Sequence, residues 1–484
     1  MKRIVSLGLA AFAVLVCVLI VRTLTLHASS PDLSKLPPAP QVDTEAAAQH
    51  LSRAVQFQTV SHQDPAQDDK SIWAAQRAWL ETTYPAFHQA SSHELVGGGA
   101  LIYQWKGSDP SLAPVILMAH QDVVPVAEET LNLWQAPPFS GAIRDGSVWG
   151  RGAIDDKGSL ISIMEAAEAL ARQGFKPKRT IYLVSGQDEE VGGSGARDAA
   201  AALKARGVHA AYALDEGMAV IMDYPATHGP VAVIGVSEKG MVTLKVTARS
   251  AGGHSSAPPK DTAAVTVSKA VVAINDHGFP LQYKGLTQTS LKAVAPSMPF
   301  LSRLFVANDW LFAPLLIKTI GATDQGKATL HTTTAPTMLS ASPKSNVLPA
   351  VAMARINFRI APGDTPQSVL DHARRAVGNL PVEIDIEGVA QAPSPVSSTQ
   401  SASYKTLEAL AADISHAPVI PGLVTAATDG RSMVSVADDV YRFQPIQFHL
   451  KDIEMVHGAN EHLTLTNLTA MVSFYERLIQ ASAG

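Results

Sequence analysis

Three short apolar runs, each breaking off at a histidine or an acid, constrain this chain more than any other feature. Ala113–Ala119 ends at His120-Gln-Asp122, Thr180–Ser185 runs into Gly186-Gln-Asp188-Glu189-Glu190, and Ala210–Leu214 closes on Asp215-Glu216-Gly217. Unbroken apolar runs of this length suit strands buried on both faces. Leu160–Ala171 and Gly192–Arg206 lie between them with apolar residues at helical spacing. Strand, polar end and helix, three times over, predict an α/β fold: a mostly parallel sheet with helices on both faces. Ligands in such sheets gather beyond the carboxyl ends of the strands. His120, Glu189, Glu190 and Asp215 all fall at such ends.

Trp149-Gly-Arg-Gly-Ala-Ile-Asp155-Asp156-Lys157-Gly-Ser159 precedes the first of these helices. Glycines permit tight backbone there, and acids favour the positive end of a helix. Taken alone, the two aspartates read as a helix cap in a solvated turn. With His120 and Glu190 on the neighbouring strand ends, Asp155 reads instead as a metal ligand placed between them.

The second half changes pattern. Val231–Val236, Met241–Ala248, Val351–Ile360 and Val382–Glu387 read as strands, Thr262–Asn275 and Pro366–Val377 as helices, and Thr329–Leu339 as a further strand. This order predicts a small α+β lid domain inserted at 237–387, splitting the main domain into 44–236 and 388–484. Tyr404–Ile414 and Thr464–Ile479 resume as helices of the main domain. Within the insert, Val294–Ile320 is unusually apolar. Two helices covering the small sheet are the simplest expectation; a wall for a hydrophobic substrate and a surface resting on a bilayer are the alternatives.

The chain has 484 residues, enough for two or three domains, and a net charge of −5, which gives no nucleic-acid footprint. Its single cysteine, Cys17, lies in the N-terminal apolar run, so any metal must be held by histidines and carboxylates. Residues 1–28 read as a signal anchor or a signal peptide: Lys2 and Arg3 precede the uncharged run Ile4–Val21. The anchor is favoured, because Leu26-His27-Ala28 lacks the small residue that cleavage wants at its first position. The positive flank keeps the N-terminus cytosolic and the main domain on the non-cytoplasmic side, membrane-anchored, or secreted if the segment is removed. Residues 29–43 form the linker, with four prolines by Pro40.

The candidate ligands are then His120, Asp155, Glu190, Asp215 and His457, the last from Glu454-Met-Val-His457-Gly. Two histidines and three carboxylates suit two zinc-like divalent ions in a hydrolase, with Asp155 as the natural bridge. Asp122, two residues past His120, can orient that imidazole. Glu189, beside Glu190, is the candidate general base.

Six motifs in register from about residue 45 to the C-terminus resemble the dinuclear zinc aminoacylase/carboxypeptidase family. They are His120-x-Asp122-Val-Val-Pro, Gly-Arg-Gly-Ala-Ile-Asp155-Asp-Lys-Gly, Asp-Glu189-Glu190-Val-Gly-Gly, Leu-Asp215-Glu-Gly, Gly-Gly-His254-Ser and His457-Gly. Similarity is greatest to the carboxypeptidase S branch, which includes membrane-anchored and secreted members. The resemblance implies His120 and Asp215 on one zinc, Glu190 and His457 on the other, a cis Asp155–Asp156 peptide, and Glu189 as base. Co2+ or Mn2+ could replace zinc. It also implies that His254 binds the substrate carbonyl, and that Asn346 and Arg431 grip the free carboxylate of a small peptide or an N-acyl amino acid. Some relatives form a homodimer through the lid. Asn357-Phe-Arg359 departs from the pattern, since many relatives carry an acid two residues before the arginine. A non-catalytic binding protein on the same fold is the competing reading. Neither a dinucleotide fingerprint nor a Gly-x-Ser-x-Gly elbow is present.

Overall fold

In the computed structural model, which describes residues 2–28 and 30–484, the three apolar runs stand side by side. Met1 and Ser29, where the predicted leader and linker begin, lie outside the described residues. Val115–Met118 pairs parallel with Ile181–Ser185 on one side and with Ala210–Asp215 on the other. Ala437–Arg442 adds a fourth parallel strand beyond Ala210–Asp215. Antiparallel Ala100–Trp105 and Ser92–Val96 complete one edge of the ten-stranded sheet. Gly229–Glu238, Val220–Tyr224, Val419–Val424 and Gln447–Phe448 complete the other.

The central strands are apolar throughout because each face has its own core. Val115 and Leu117 point into one cluster with Leu51, Leu160, Ile161 and Phe474; Ile116 and Met118 point into another with Ala196, Ala199 and Leu203. Each such aliphatic side chain contributes ~1.5–3 kcal/mol when fully buried. The helices Thr44–Gln56, Lys157–Arg172 and Leu465–Ala483 cover the first face, and Gly195–Ala205 covers the second. Asp156 stands at the N-terminus of Lys157–Arg172 yet makes no side-chain cap bond. The capping reading of the Asp-Asp turn therefore fails, and both carboxylates are used elsewhere.

A separate antiparallel sheet follows, in the order Thr333–Ser340, Val351–Ile360, Gly240–Arg249, Val382–Gln391. One residue in two along Val351–Ile360 is buried, the pattern of a sheet covered on one face. Ala263–Asp276 and Pro366–Val377 supply that cover. Asn357, the departure noted above, bonds across the sheet to Thr243 Oγ1 at 3.1 Å. The chain crosses between the two sheets near residues 238–240 and 391–393. There a side chain on Gly240 would meet the Gln391 carbonyl at 2.4 Å, so only glycine lets the crossings touch.

The apolar segment departs from its simplest expectation. Its helices pack on the main sheet, not on the small one: Val294, Ala295, Met298, Val306 and Leu316 cluster with Val231, Val233 and Ile420. Ala232 and Ile234 point into the core on the opposite face, so the edge strands need a second cover that the main domain's own helices leave vacant.

Candidate active site

Asp155 lies at the centre of the polar strand ends, in the turn before Lys157–Arg172. Its Oδ1 is 2.9 Å from His120 Nε2 and its Oδ2 is 3.1 Å from His457 Nε2. The two histidines come from chain positions 337 apart and meet on one carboxylate. His457 Nε2 is also 3.0 Å from Glu190 Oε2. Among the described residues, His120, Asp155 and Glu190 form a group whose ligand atoms all lie within 4.8 Å of one another. Asp215 is buried nearby but outside that group, with Oδ2 accepting the Gly430 N–H at 2.5 Å.

Asp122 has two tasks. Its Oδ1 lies 3.4 Å from His120 Nδ1 and accepts the Glu189 N–H at 3.1 Å. Its Oδ2 accepts the Glu190 N–H at 3.1 Å and the Ser61 hydroxyl at 2.6 Å. One buried carboxylate thus aims His120 and pins the turn carrying Glu189 and Glu190.

Sequence reasoning missed the support beneath Asp155. Glu461 accepts N–H bonds from Gly152, Ile154 and Asp155 at 2.9–3.1 Å and pairs with buried Arg151 at 2.6 Å. Arg151 Nη2 also donates to the carbonyls of His457 and Gly458. The Asp155–Asp156 peptide is cis. Asp156 accepts from Gln444 Nε2 at 2.7 Å and from the His120 N–H at 3.3 Å. Lys157 is fully buried and donates to the Ala54 and Phe57 carbonyls; burial lowers its pKa to about 7. The Gly-Arg-Gly and Asn-Glu461 signals were visible in the sequence, but nothing local ties them together.

The electrostatics show a site with too much negative charge. Burial raises the pKa values of Asp156, Glu189, Glu216 and Asp429 well above the usual carboxylate range, and neighbouring carboxylates push them further. Burial would raise Asp155 too, but the two imidazoles hold it below normal. Burial disfavours a charged His120, yet bonds to Asp122 and Asp155 outweigh it and hold the imidazolium well above its ordinary pKa. Bonds to Asp155 and then Glu190 raise His457 to about 10.

The donor set fits divalent cations. Glu190 Oε1 and Asp429 Oδ2 are buried without a hydrogen-bond partner. Two donors each 2.0–2.2 Å from a tetrahedral ion stand roughly 3.4 Å apart, a few tenths of an ångström from the observed contacts. Cations are the groups that would neutralise the clustered carboxylates.

The three expected substrate contacts fall in two places. His254 and Asn346 come together in the additional domain, where Gly253–His254 pairs with Val347–Leu348 and Ser255 N–H donates to the Asn346 carbonyl. Both side chains are exposed, and His254 Nδ1 lies 2.9 Å from Ser256 Oγ. Arg431 sits instead where the chain crosses between domains. It bonds Gln391 Oε1 and the Lys239 carbonyl and lies 3.5 Å from buried Glu238, which also holds Arg442 at 2.6 Å.

Comparison with known proteins agrees with this geometry. The chain is 34% identical over 496 residues to the N-fatty-acyl-amino acid synthase/hydrolase PM20D1 of Xenopus tropicalis, covering 99% of this chain and 96% of that one. It is 34% identical to the probable carboxypeptidase S-like 2 of Dictyostelium discoideum, covering 90% and 84%. The M20 family metallo-carboxypeptidase Sso-CP2 of Sulfolobus solfataricus shares the fold at a TM-score of 0.66 and 15% identity, covering 91% of this chain and 99% of that one. Residues 116–481 match the pattern of peptidase family M20/M25/M40, and the chain belongs to that family of metal-dependent hydrolases.

Proposed function

We propose that the protein hydrolyses the amide bond of an N-acyl amino acid or a short peptide with a free C-terminal carboxylate, using two zinc ions. The observation that carries this reading is the Asp155 carboxylate, which offers one oxygen toward each of two histidines. His120 and Asp215 would hold one ion, Glu190 and His457 the other, with Asp155 shared. The chemistry such ions supply when bound is Lewis-acid polarisation of the scissile carbonyl and acidification of the attacking water.

The chain's own residues do the rest. Glu189, raised in basicity by burial and by Asp429, Glu190 and Asp155, takes the water's proton and passes it to the leaving nitrogen. Asp122 keeps Glu189 and His120 in register. The insert at 237–387 acts as a lid: His254 meets the substrate oxygen as charge develops, Asn346 beside it and Arg431 at the crossing take the carboxylate. The likeness to an N-fatty-acyl-amino acid synthase/hydrolase favours an N-acyl amino acid over a dipeptide. The N-terminal helix holds the enzyme on a membrane with this site on the non-cytoplasmic side.

Glu189→Gln tests the assignment. Metal content by mass spectrometry should stay near two ions per chain while kcat on N-acyl amino acids falls about 10²–10⁴-fold. Full turnover in that variant overturns the base. Failure of the parent to hold metal or to cleave any member of an N-acyl amino acid and dipeptide panel favours a binding protein on this fold.

A further inference from the structure

We infer that the bent helical pair Phe300–Ala307 and Asp309–Ile320 is immersed in the non-cytoplasmic half of the lipid bilayer, packed on the N-terminal helix. This rests on the anchor reading above and goes beyond it, since it places a piece of the catalytic chain itself at hydrocarbon depth.

The N-terminal helix Lys2–Leu24 is long enough to cross a membrane: at 1.5 Å per residue, Arg3–Leu24 rises about 33 Å, against a core of about 30 Å. It is also a fixed part of the fold. Leu15, Val16 and Leu19 are half-buried and Thr23 is fully buried, a stripe on one face of a helix that packs on Phe300–Ala307. Leu15 to Leu24 covers about 15 Å of the helix axis, half the hydrocarbon thickness. A helix packed along that stretch shares its depth.

The surfaces turned away from the main domain suit lipid. Phe300, Leu301, Trp310, Leu311 and Leu315 are 40–66% exposed, five large apolar side chains on two consecutive helices. At the break the Asn308 amide N–H group finds its partners within the protein, as the bilayer favours for an interrupted helix, while its Oδ1 is buried without one. The pair bends by 119° at Asn308, whose side chain is wholly buried. Asn308 Nδ2 donates to Leu304 O at 2.9 Å and to Leu19 O at 3.1 Å, and lies 3.4 Å from Thr23 Oγ1. Arg22 donates twice to the Ala307 carbonyl, next to the break, at 3.2 and 3.3 Å. Arg303 donates to Leu26 O, past the end of the span. The N-terminal helix thus supplies partners for the bend, and Arg22 and Arg303 stand at its exit, where headgroups lie.

The full chain in phosphatidylcholine/phosphatidylglycerol vesicles tests this. In a Cys17→Ser background, nitroxides are placed at Leu9→Cys, Leu311→Cys, Leu315→Cys and, on the last strand of the small sheet, Val389→Cys. Collision with oxygen relative to a water-soluble nickel chelate should be several-fold higher at 9, 311 and 315 than at 389. If 311 and 315 behave like 389 while 9 stays in lipid, the immersion is overturned and the anchor stands. If 9 is also in water, both fall. Low collision with both reagents plus spin–spin broadening at 311 or 315 would show a second copy on this face and would also overturn the proposal. A lipid-borne carbene probe on the unsubstituted chain should label peptides from both 3–24 and 300–320; label confined to 3–24 counts against it.

Discussion

Charge pairing at single residues sets how the site is built. Asp122 holds His120 and the backbone of both glutamates at once. Asp122→Asn keeps the shape and loses the charge, so metal affinity should fall about 10–100-fold in chelator competition while the far-ultraviolet dichroism stays unchanged. Glu461 supports the opposite wall. Glu461→Ala strips three backbone N–H groups and Arg151 of their common partner. Leaving that buried guanidinium unpaired should cost about 3–5 kcal/mol in urea unfolding. Glu461→Gln, which retains an acceptor, should cost less.

At the scale of elements, the two crossings between the sheets decide how the smaller domain is held. Lys239 is buried at the first crossing and donates to the Ala328 and His331 carbonyls at 2.8 Å. Lys239→Met leaves those carbonyls without that donor, an expected loss of about 1–3 kcal/mol. Burial lowers the Lys239 pKa to about 8 from its ordinary 10.5. Between these values the unfolded chain binds more protons, so this lysine makes stability rise with pH from about 8 to 10.5. Its contribution is lost as pH falls through 8. Urea midpoints at pH 7.5 and 10 should therefore differ less in Lys239→Met than in the parent.

For the whole molecule, the main consequence is that the folded main domain concentrates carboxylates that cations would neutralise. Chelation should lower the melting temperature, by the equivalent of about 2.7 kcal/mol where metal had stood at 100 times its Kd. The pH dependence of the metal-free protein follows from the raised pKa values of Asp156, Glu189, Glu216 and Asp429. Their folded pKa values exceed the unfolded ones, so the folded state binds the extra protons. Metal-free stability is then greatest below the ordinary carboxylate range and falls as pH rises through the folded values. The loss on chelation should accordingly be smaller at pH 5 than at pH 8 in calorimetry.

The sequence by itself determined the parallel core, because a strand covered on both faces must be apolar throughout and its polar end must stop where the cover stops. Val115–Met118 and Ile181–Ser185 show that rule directly, and His120, Asp155 and Glu190 were legible from it. His457 was legible by its residue type in a late polar turn; its meeting with Asp155 depends on a turn at φ 62° reached after the last strand of the sheet. Glu461 and Arg151 stayed hidden because their partners lie more than 300 positions away, and no local periodicity records such a pair. The tertiary structure alone decided where Val294–Ile320 would pack. Apolar helices report that they must be covered, but what covers them is whichever surface the rest of the fold leaves bare. Here that is the edge of the main sheet on one side and the N-terminal helix on another.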